Sequence, residues 1–446
     1  MTYIRRWAES EFQMAERIFK AVIFSGVRQC GKTTLMRESL PKDAAYVSLD
    51  REIFRQAAAD APGGFLQQYR NRSCLAIDEV QKVPALFHEI KAFVDESREL
   101  RQYLLSGSSN YKTMPSIHES MAGRLGEVRL RPMTEGEIQE QPPRFIDRLF
   151  NEEFDDKLTA EDCSKRVIIE KALRGGFPDV LRMEGGERDY WFEAFVSSLI
   201  IRDLLELGDF RKPHYMQMLL QQCAGSSSRM VNVSSLSAAM EVNRPTVMQY
   251  LTAMQTMFLV ELLPAWQNKI IKRASSTPKL MLCDSGLMAY LADLGDVDLA
   301  LNVEDKATTD LVGNLLETWV YQQLVPITDI GRKWKLYHFR NTTGKEIDFI
   351  LENRNGELIC LEVKASEGVK AEHFKNLRWF KEQCGKNRRS CSLHGPRCCS
   401  LWRARVRFAD GVFVALENRV IGQASLQEWC CQTSRLTHNL GLRPSK

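Results

Sequence analysis

The sequence lacks several features that would have redirected its reading. Nowhere in its 446 residues is there a run of about 18 uncharged apolar positions, the length a helix needs to cross a bilayer, so no membrane partner is expected. Its first residues, Met1-Thr2-Tyr3-Ile4-Arg5-Arg6, have no apolar core of the signal-peptide kind, and a cytoplasmic location is the default expectation. Twelve cysteines are present, yet no two stand in a C-x-x-C spacing. Those that crowd the end include the adjacent pairs Cys398-Cys399 and Cys430-Cys431, which suit a shared zinc ion poorly, so no zinc site is expected. A basic excess is also missing from most of the chain. The net charge is +4, but eleven Lys/Arg stand against three Asp/Glu from Lys386 onward, leaving 50 basic and 54 acidic residues before it. Any nucleic-acid surface would therefore be a local patch. What remains, 44% hydrophobic and 26% charged, is ordinary for a globular chain with length for two or three domains.

Against these absences stands one octet, Gly26-Val27-Arg28-Gln29-Cys30-Gly31-Lys32-Thr33, which fits the phosphate-binding pattern G-x-x-x-x-G-K-[ST] at every fixed position. An apolar run, Ala21–Phe24, precedes it, and helix-forming residues from Thr34 to Glu38 follow. The motif thus lies between a strand and a helix N-terminus, where backbone N–H groups and the helix dipole favour an anion. Residues 26–34, Thr34 included, are the expected nucleotide contacts. Lys32 would reach the outer phosphates, and the Thr33 hydroxyl would ligate magnesium. Further apolar runs at 45–49, 74–77 and 103–106 alternate with helical stretches, which predicts a parallel sheet covered on both faces. The run at 74–77 ends in Asp78-Glu79. Asp78 is the expected second magnesium-holding residue, and Glu79 the carboxylate that polarises the attacking water. The run at 103–106 opens into Ser106-Gly107-Ser108-Ser109-Asn110, where Ser108 is the candidate for positioning that water.

These phrases, with Ile77–Pro84, Glu119–Arg124 and Leu130-Arg131-Pro132-Met133, make residues 1–140 resemble the AAA-type ATP-binding proteins of bacteria and archaea. The resemblance implies a P-loop, three-layer α/β ATPase domain, ATP and Mg2+ as ligands, and an arginine on the γ-phosphate, often supplied across a subunit boundary. Arg124 matches that arginine, and a homo-oligomer would follow if it acts between subunits. Cys30 departs from the small apolar residue usual there, at a position that contributes backbone.

Residues 141–165 read as a polar linker. Within 166–300, mostly helical, Val233–Met240 and Arg244–Leu251 read as a helix-turn-helix, with Asn243 as cap and Pro245 in the first turn. Leu259–Leu263 and Lys279–Cys283 are the expected strands of a wing. DNA would meet Arg244, Thr246 and Gln249, with Lys269, Lys272 and Arg273 in the wing. The alternative is that this piece packs on the ATPase and touches no DNA.

From 311 to 385, a helix carrying Glu317 is followed by two strands, Lys345–Glu352 and Leu358–Lys364. Glu362 and Lys364 share one face by strand alternation, and Asp348 on the paired strand can join them. This resembles the PD-(D/E)xK nuclease superfamily, a restriction-endonuclease-like α/β module, with Glu317 as its helix glutamate. The resemblance implies a second metal site at Glu317, Asp348, Glu362 and Lys364; a charged strand face is the plainer reading of the same spacing. Residues 170–385 also resemble the C-terminal region fused to these ATPases, through Gly175-Gly176-Phe177-Pro178, Ile201-Arg202-Asp203 and Asp284-Ser285-Gly286-Leu287. The segment 386–446 reads as an atypical basic, Cys-rich tail without a clear period, either out of frame relative to its relatives or divergent. The expected whole is an ATPase whose hydrolysis moves a DNA-associated C-terminal region. A Mg2+-dependent nuclease regulated by its ATPase, and a non-enzymatic nucleotide switch binding a protein partner, are the alternatives.

Overall fold

The structure is a computed structural model that describes residues 3–96, 102–110, 121–151, 165–208, 210, 212–267, 276–302, 305–365, 371–386, 404–408 and 412–417. The chain divides into two compact units: 1–133, 176–222 and 232–261 form the first, and 134–175, 223–231 and 262–446 form the second.

The first unit is built on strands β1 (Ala21–Ser25), β2 (Ala45–Ser48), β3 (Leu75–Asp78), β4 (Tyr103–Gly107) and β5 (Leu125–Arg129), in the order β2-β3-β4-β1-β5. Every pairing is parallel, as the alternation of strands and helices predicted. All five residues of β1 are buried, because a central parallel strand is covered on both faces. Ala21 and Ile23 enter a core with Leu75, Ile77, Leu105 and the Ala85–Glu96 helix, which buries Leu86, Phe87, Ile90 and Val94. On β1's other side the Phe24 ring lies 5.2 Å from that of Phe12. β4 sits between the strand that leads into the octet and the strand that ends in Asp78. The ends of β1, β3 and β4 therefore open at one carboxyl edge, where open α/β sheets place their ligands.

The rest of this unit is helical. The Gly185–Ser198 helix runs on into a π-helical turn, Leu199–Asp203. The predicted helix pair forms at Val233–Ala239 and Arg244–Thr256, where Asn232 and Asn243 accept from the N–H of Ser235 and Thr246 at 3.1 and 2.9 Å. β6 (Val260–Leu263) follows.

In the second unit, β7 (Lys279–Leu282) is buried throughout. A five-stranded sheet joins β8 (Trp334–Arg340), β9 (Glu346–Asn353), β10 (Leu358–Lys364), β11 (Ala404–Phe408) and β12 (Val412–Glu417) in the order β11-β12-β10-β9-β8, every pairing antiparallel. The Lys306–Asp329 helix packs on β8 and β10, and the Lys375–Lys386 helix contributes Leu377 and Phe380 to a core with Trp266, Tyr337, Ile347 and Ile350. Two of the phrases singled out in the sequence meet here. Gly175, at φ 74°, faces Asp284, and a Cβ on it would lie 2.3 Å from the Asp284 Oδ1. Asp284 in turn caps the Ser285–Leu291 helix by accepting from the Leu287 N–H at 2.9 Å.

Three expectations differ from the observed layout. The segment read as a linker contains a helix, Phe145–Asn151, with Phe145, Ile146 and Leu149 buried, because these apolar residues recur at helical spacing among polar ones. The helical connector is not a body of its own, since its pieces are shared between the two units. The C-terminal sheet continues beyond 385: Arg403-Ala404-Arg405-Val406-Arg407-Phe408 alternates strictly, which is a strand pattern, and β12 pairs directly with β10. Lys269, Lys272, Arg273 and most of the tail lie outside the described residues.

Candidate functional site

The octet forms the turn between β1 and the Lys32–Glu38 helix. Its backbone leaves the ordinary regions at Gly26 (φ 152°), Gln29 (φ 60°) and Gly31 (φ 100°). A Cβ at Gly26 would lie 1.9 Å from the Leu130 carbonyl oxygen, so only glycine fits. Gly31, as N-cap, has no side chain to satisfy the first amides of the helix. The Lys32 ammonium folds back on the loop, donating to the carbonyls of Gly26 and Val27 at 3.0 and 2.8 Å. Arg6, buried to 5% exposure, holds the outside of the turn by donating to the Cys30 carbonyl at 2.8 Å and the Arg131 carbonyl at 2.7 Å. Cys30 is fully buried against Leu130, and the Arg28 side chain pairs with Asp203 of the π-helical turn. Thr34 is exposed.

Asp78 arrives from β3, two strands away. One of its oxygens accepts from the Thr33 hydroxyl at 2.9 Å and from the Tyr46 hydroxyl at 2.8 Å, while Ser106 bonds the other. Burial, and then the Asp78 charge, raise the Tyr46 phenol above its ordinary value. Glu79 adopts the left-handed conformation (φ 57°), uncommon for a residue with a Cβ. This turns its carboxylate toward Ser108, whose hydroxyl lies 3.2 Å away, and toward Gln81, which bonds both Glu79 and Ser108. The structure thus brings Lys32, Thr33, Asp78, Glu79 and Ser108 to one edge of the sheet.

Arg124 is not among them. It precedes β5, whose Leu125 is level with Ala21 at the start of β1, so it stands at the opposite edge of the sheet from the loop. Five strand residues at about 3.3 Å each put roughly 16 Å between the two edges. There Arg124 makes a two-pronged pair with Asp95 at 2.5 and 3.0 Å, and this partner holds the Asp95 carboxyl below its usual range. Tyr46, Ser106, Gln81 and Arg6 are the site residues that sequence reasoning missed. Gln81 and Ser106 lie within the motif segments 77–84 and 106–110, and Tyr46 and Arg6 carry no local signal.

The helical part of the first unit is fastened to this site. The Asn110 N–H, two residues past Ser108, donates to the Thr256 carbonyl at 2.8 Å. Glu261 accepts from Arg129 at 2.9 Å and also from Arg131. The exposed face of the Arg244–Thr256 helix, with Pro245, Met248, Gln249 and Thr252, lines an open groove with Leu207 and Phe210. Arg244 is exposed, Thr246 is half-buried at the cap, and Gln249 is exposed.

In the second unit the four expected residues lie in one cluster, and two of them, Glu317 and Asp348, surround an ammonium group. The Lys279 Nζ, at 1% exposure, lies 3.0 Å from Glu317, 2.7 Å from Glu346 and 3.7 Å from Asp348. Lys364 pairs with Glu362 at 2.7 Å and stands 4.0 Å from Asp348, which also accepts from the Val363 N–H at 2.8 Å. The Glu362 Oε1 is buried without a hydrogen bond. Burial, with Asp348 beside them, pushes the Glu362 carboxyl up to about 8 and the Glu317 carboxyl up to about 7. Burial alone would lower the Lys279 ammonium, but the carboxylates of Glu317, Asp348 and Glu346 outweigh it and raise it. Among the described residues no group of three or more His, Cys, Asp and Glu is placed to hold a metal ion. Lys279, expected in a wing, is therefore the centre of this cluster.

Comparison with known proteins agrees with the first unit's geometry. Residues 19–139 match the family described as AAA domain; 165–298 and 312–403 match two domains of unknown function, DUF8612 and DUF4143. Uncharacterized proteins of Mycobacterium bovis and Mycobacterium tuberculosis are each 26% identical over 349 residues, which is 78% of this chain and 71% of theirs. Among solved structures, a signal transduction ATPase with numerous domains from Pyrococcus horikoshii, bearing a tetratricopeptide repeat sensor, is similar at 10% identity and a TM-score of 0.24. That match covers 74% of this chain and about half (52%) of the other. The structure of the Drosophila origin recognition complex with AT-rich DNA and Cdc6 is similar at 11% identity and a TM-score of 0.20, covering 65% and 91%. Likeness this low carries no argument. Residues 19–139 thus match an AAA domain and carry the parallel sheet of a P-loop α/β ATPase fold, and no described helix is long and apolar enough to cross a membrane.

Proposed function

We propose that the first unit binds ATP in the 26–34 turn and hydrolyses it with Mg2+. The observation that carries this reading is the meeting of Thr33 and Asp78 at 2.9 Å across an intervening strand, with Glu79 held next to them by Ser108 and Gln81. A hydroxyl and a carboxylate are the donors that Mg2+ takes from protein when phosphates supply others, so these two residues fit the ion. When bound, the ion would neutralise charge on the phosphates. Lys32 would exchange its two carbonyl partners for the outer phosphates. Glu79 would accept the proton of the attacking water, with Ser108 and Gln81 fixing its carboxylate. A residue in that role favours turnover over a purely binding switch.

The helix pair serves, in this reading, as the part that moves with the nucleotide. Its bond from Asn110 to Thr256 supports that role, whereas DNA contact would rest on the single cation of Arg244 in that helix. Purified protein should hydrolyse ATP only with Mg2+, and Lys32→Ala should lower the rate by at least about 10³-fold, the scale of losing a preorganised charge at the reacting phosphates. Full turnover in that variant would remove the reading. A rate that rises with double-stranded DNA, and loses the rise in Arg244→Ala, would move the second half of it toward a DNA-driven enzyme.

A further inference from the structure

We propose that Lys279 is a built-in cation that takes the place a divalent metal would hold in the C-terminal carboxylate cluster, so that this module is assembled without a cutting site. The reading is independent of the ATPase assignment. β7 delivers the ammonium fully buried among three carboxylates from two other elements: Glu317 from the long helix, and Glu346 and Asp348 from β9. A buried lysine is tolerated only when paired, and here all its near partners are carboxylates that the nuclease pattern reserves for a metal, or lie beside them. Mg2+ requires oxygens at about 2.0–2.1 Å in an octahedral shell, and an ammonium 2.7–3.7 Å from the same oxygens occupies the middle of that shell. Part of the charge is also met from within the cluster. Two ammonium groups, Lys279 and Lys364, face Glu317, Glu346, Asp348 and Glu362. The residual ligand capacity of the cluster is the buried Glu362 Oε1, which accepts no hydrogen bond. The same oxygen makes the site a latent one: removal of the Lys279 ammonium would leave a cavity of carboxylates open to a cation.

The test uses Mn2+ alone, with the full chain and no nucleotide, read by electron paramagnetic resonance of free manganese, on an Asp78→Asn background that silences the first unit's metal residues. The Lys279 protein should bind no manganese in the second unit, and the protein with native Asp78 should cut neither single- nor double-stranded DNA with Mg2+ or Mn2+. Lys279→Ala should gain one bound ion per chain and a melting temperature raised by Mn2+, and both gains should vanish when Asp348→Asn is added. Because Lys279→Ala alone leaves buried charge, the balanced pair Lys279→Met with Glu317→Gln is measured beside it. Stoichiometric manganese in the Lys279 protein that disappears with Asp348→Asn would overturn the proposal, as would DNA cleavage that disappears with Asp348→Ala. A folded Lys279→Ala protein that gains no manganese would overturn it equally.

Discussion

The two units each bring acidic side chains close to a lysine, and they treat the charge in opposite ways. At the first site the described partners of Asp78 are neutral hydroxyls, those of Thr33, Tyr46 and Ser106, and the nearby Lys32 is turned onto backbone carbonyls. Its negative charge is stabilised but not cancelled, the condition in which a carboxylate still attracts a metal with its phosphates. At the second, Glu346 and Asp348 face the Lys279 ammonium directly. On the proposed readings, similar residue types thus give an open cation site in one unit and a closed one in the other. The difference lies in whether the neighbouring lysine is bonded to peptide or to carboxylate.

The sharpest way to break this comparison is at Asp78 and Glu79. Asp78→Asn keeps the hydroxyl contacts but removes the charge, and should lower turnover by about 10²–10³-fold, with the remaining rate hardly responsive to Mg2+. Glu79→Gln should lower turnover by about 10²–10⁴-fold, the range for losing a general base. ATP binding should persist in Glu79→Gln, because that residue faces Ser108 and Gln81 and not the loop. A Glu79→Gln protein that hydrolyses ATP at the full rate would show that the open carboxylate is not the working one.

The closed cluster makes a pH prediction of the opposite character. Glu317 and Glu362 titrate well above the usual carboxylate range when folded, burial being the main cause, while Lys279, Lys364, Asp348, Glu346, Arg340 and His338 are the charged or titratable groups around them. A carboxyl whose folded value is raised holds its proton more tightly in the native state. Its stabilising effect is complete below the ordinary value of 4.5 and is lost as pH climbs through about 7 to 8. Denaturant midpoints should therefore fall between pH 5.5 and about 9, and Glu362→Gln, which cannot ionise, should flatten part of that slope. Equal slopes in both proteins would show that Glu362 does not ionise in this window.

How much of this was legible in the sequence follows from how local each feature is. The phosphate loop is one contiguous octet, so its residue types, strand and helix could all be read in order. Asp78-Glu79 was legible because an acidic pair ends an apolar run after that octet. Tyr46 and Arg6 were not, because each reaches the site through strand register or through a segment packed against the loop, and neither sits in a motif; Ser106 stood in the serine-rich turn, but its bond to Asp78 depends on strand register. Lys279 was read onto the right strand, but its role was not legible, for the same reason. Its partners Glu317, Glu346 and Asp348 lie far along the chain, and only the packing of β7 beside the long helix and β9 makes them neighbours. β11 escaped notice because arginines fill its polar positions in a segment already unusual for its cysteines.

Arg124 offers the smallest expected effect and the finest test. A motif phrase places it correctly in order along the chain, but strand direction decides which edge it occupies, and a residue before a parallel strand lies at the amino edge while the phosphates gather at the carboxyl edge. Within one chain Arg124 therefore cannot act on the loop, and its guanidinium is engaged by Asp95. At protein concentrations too dilute for self-association, Arg124→Ala should hydrolyse ATP at the native rate. The outcome divides on concentration. If specific activity rises as the native protein is concentrated and Arg124→Ala does not follow, the arginine leaves Asp95 for a neighbouring copy, and the open site is completed between chains. If both proteins show flat specific activity, the Asp95 pair fastens the end of the Ala85–Glu96 helix to the sheet, and the charge facing the phosphates is supplied from within the loop by Lys32.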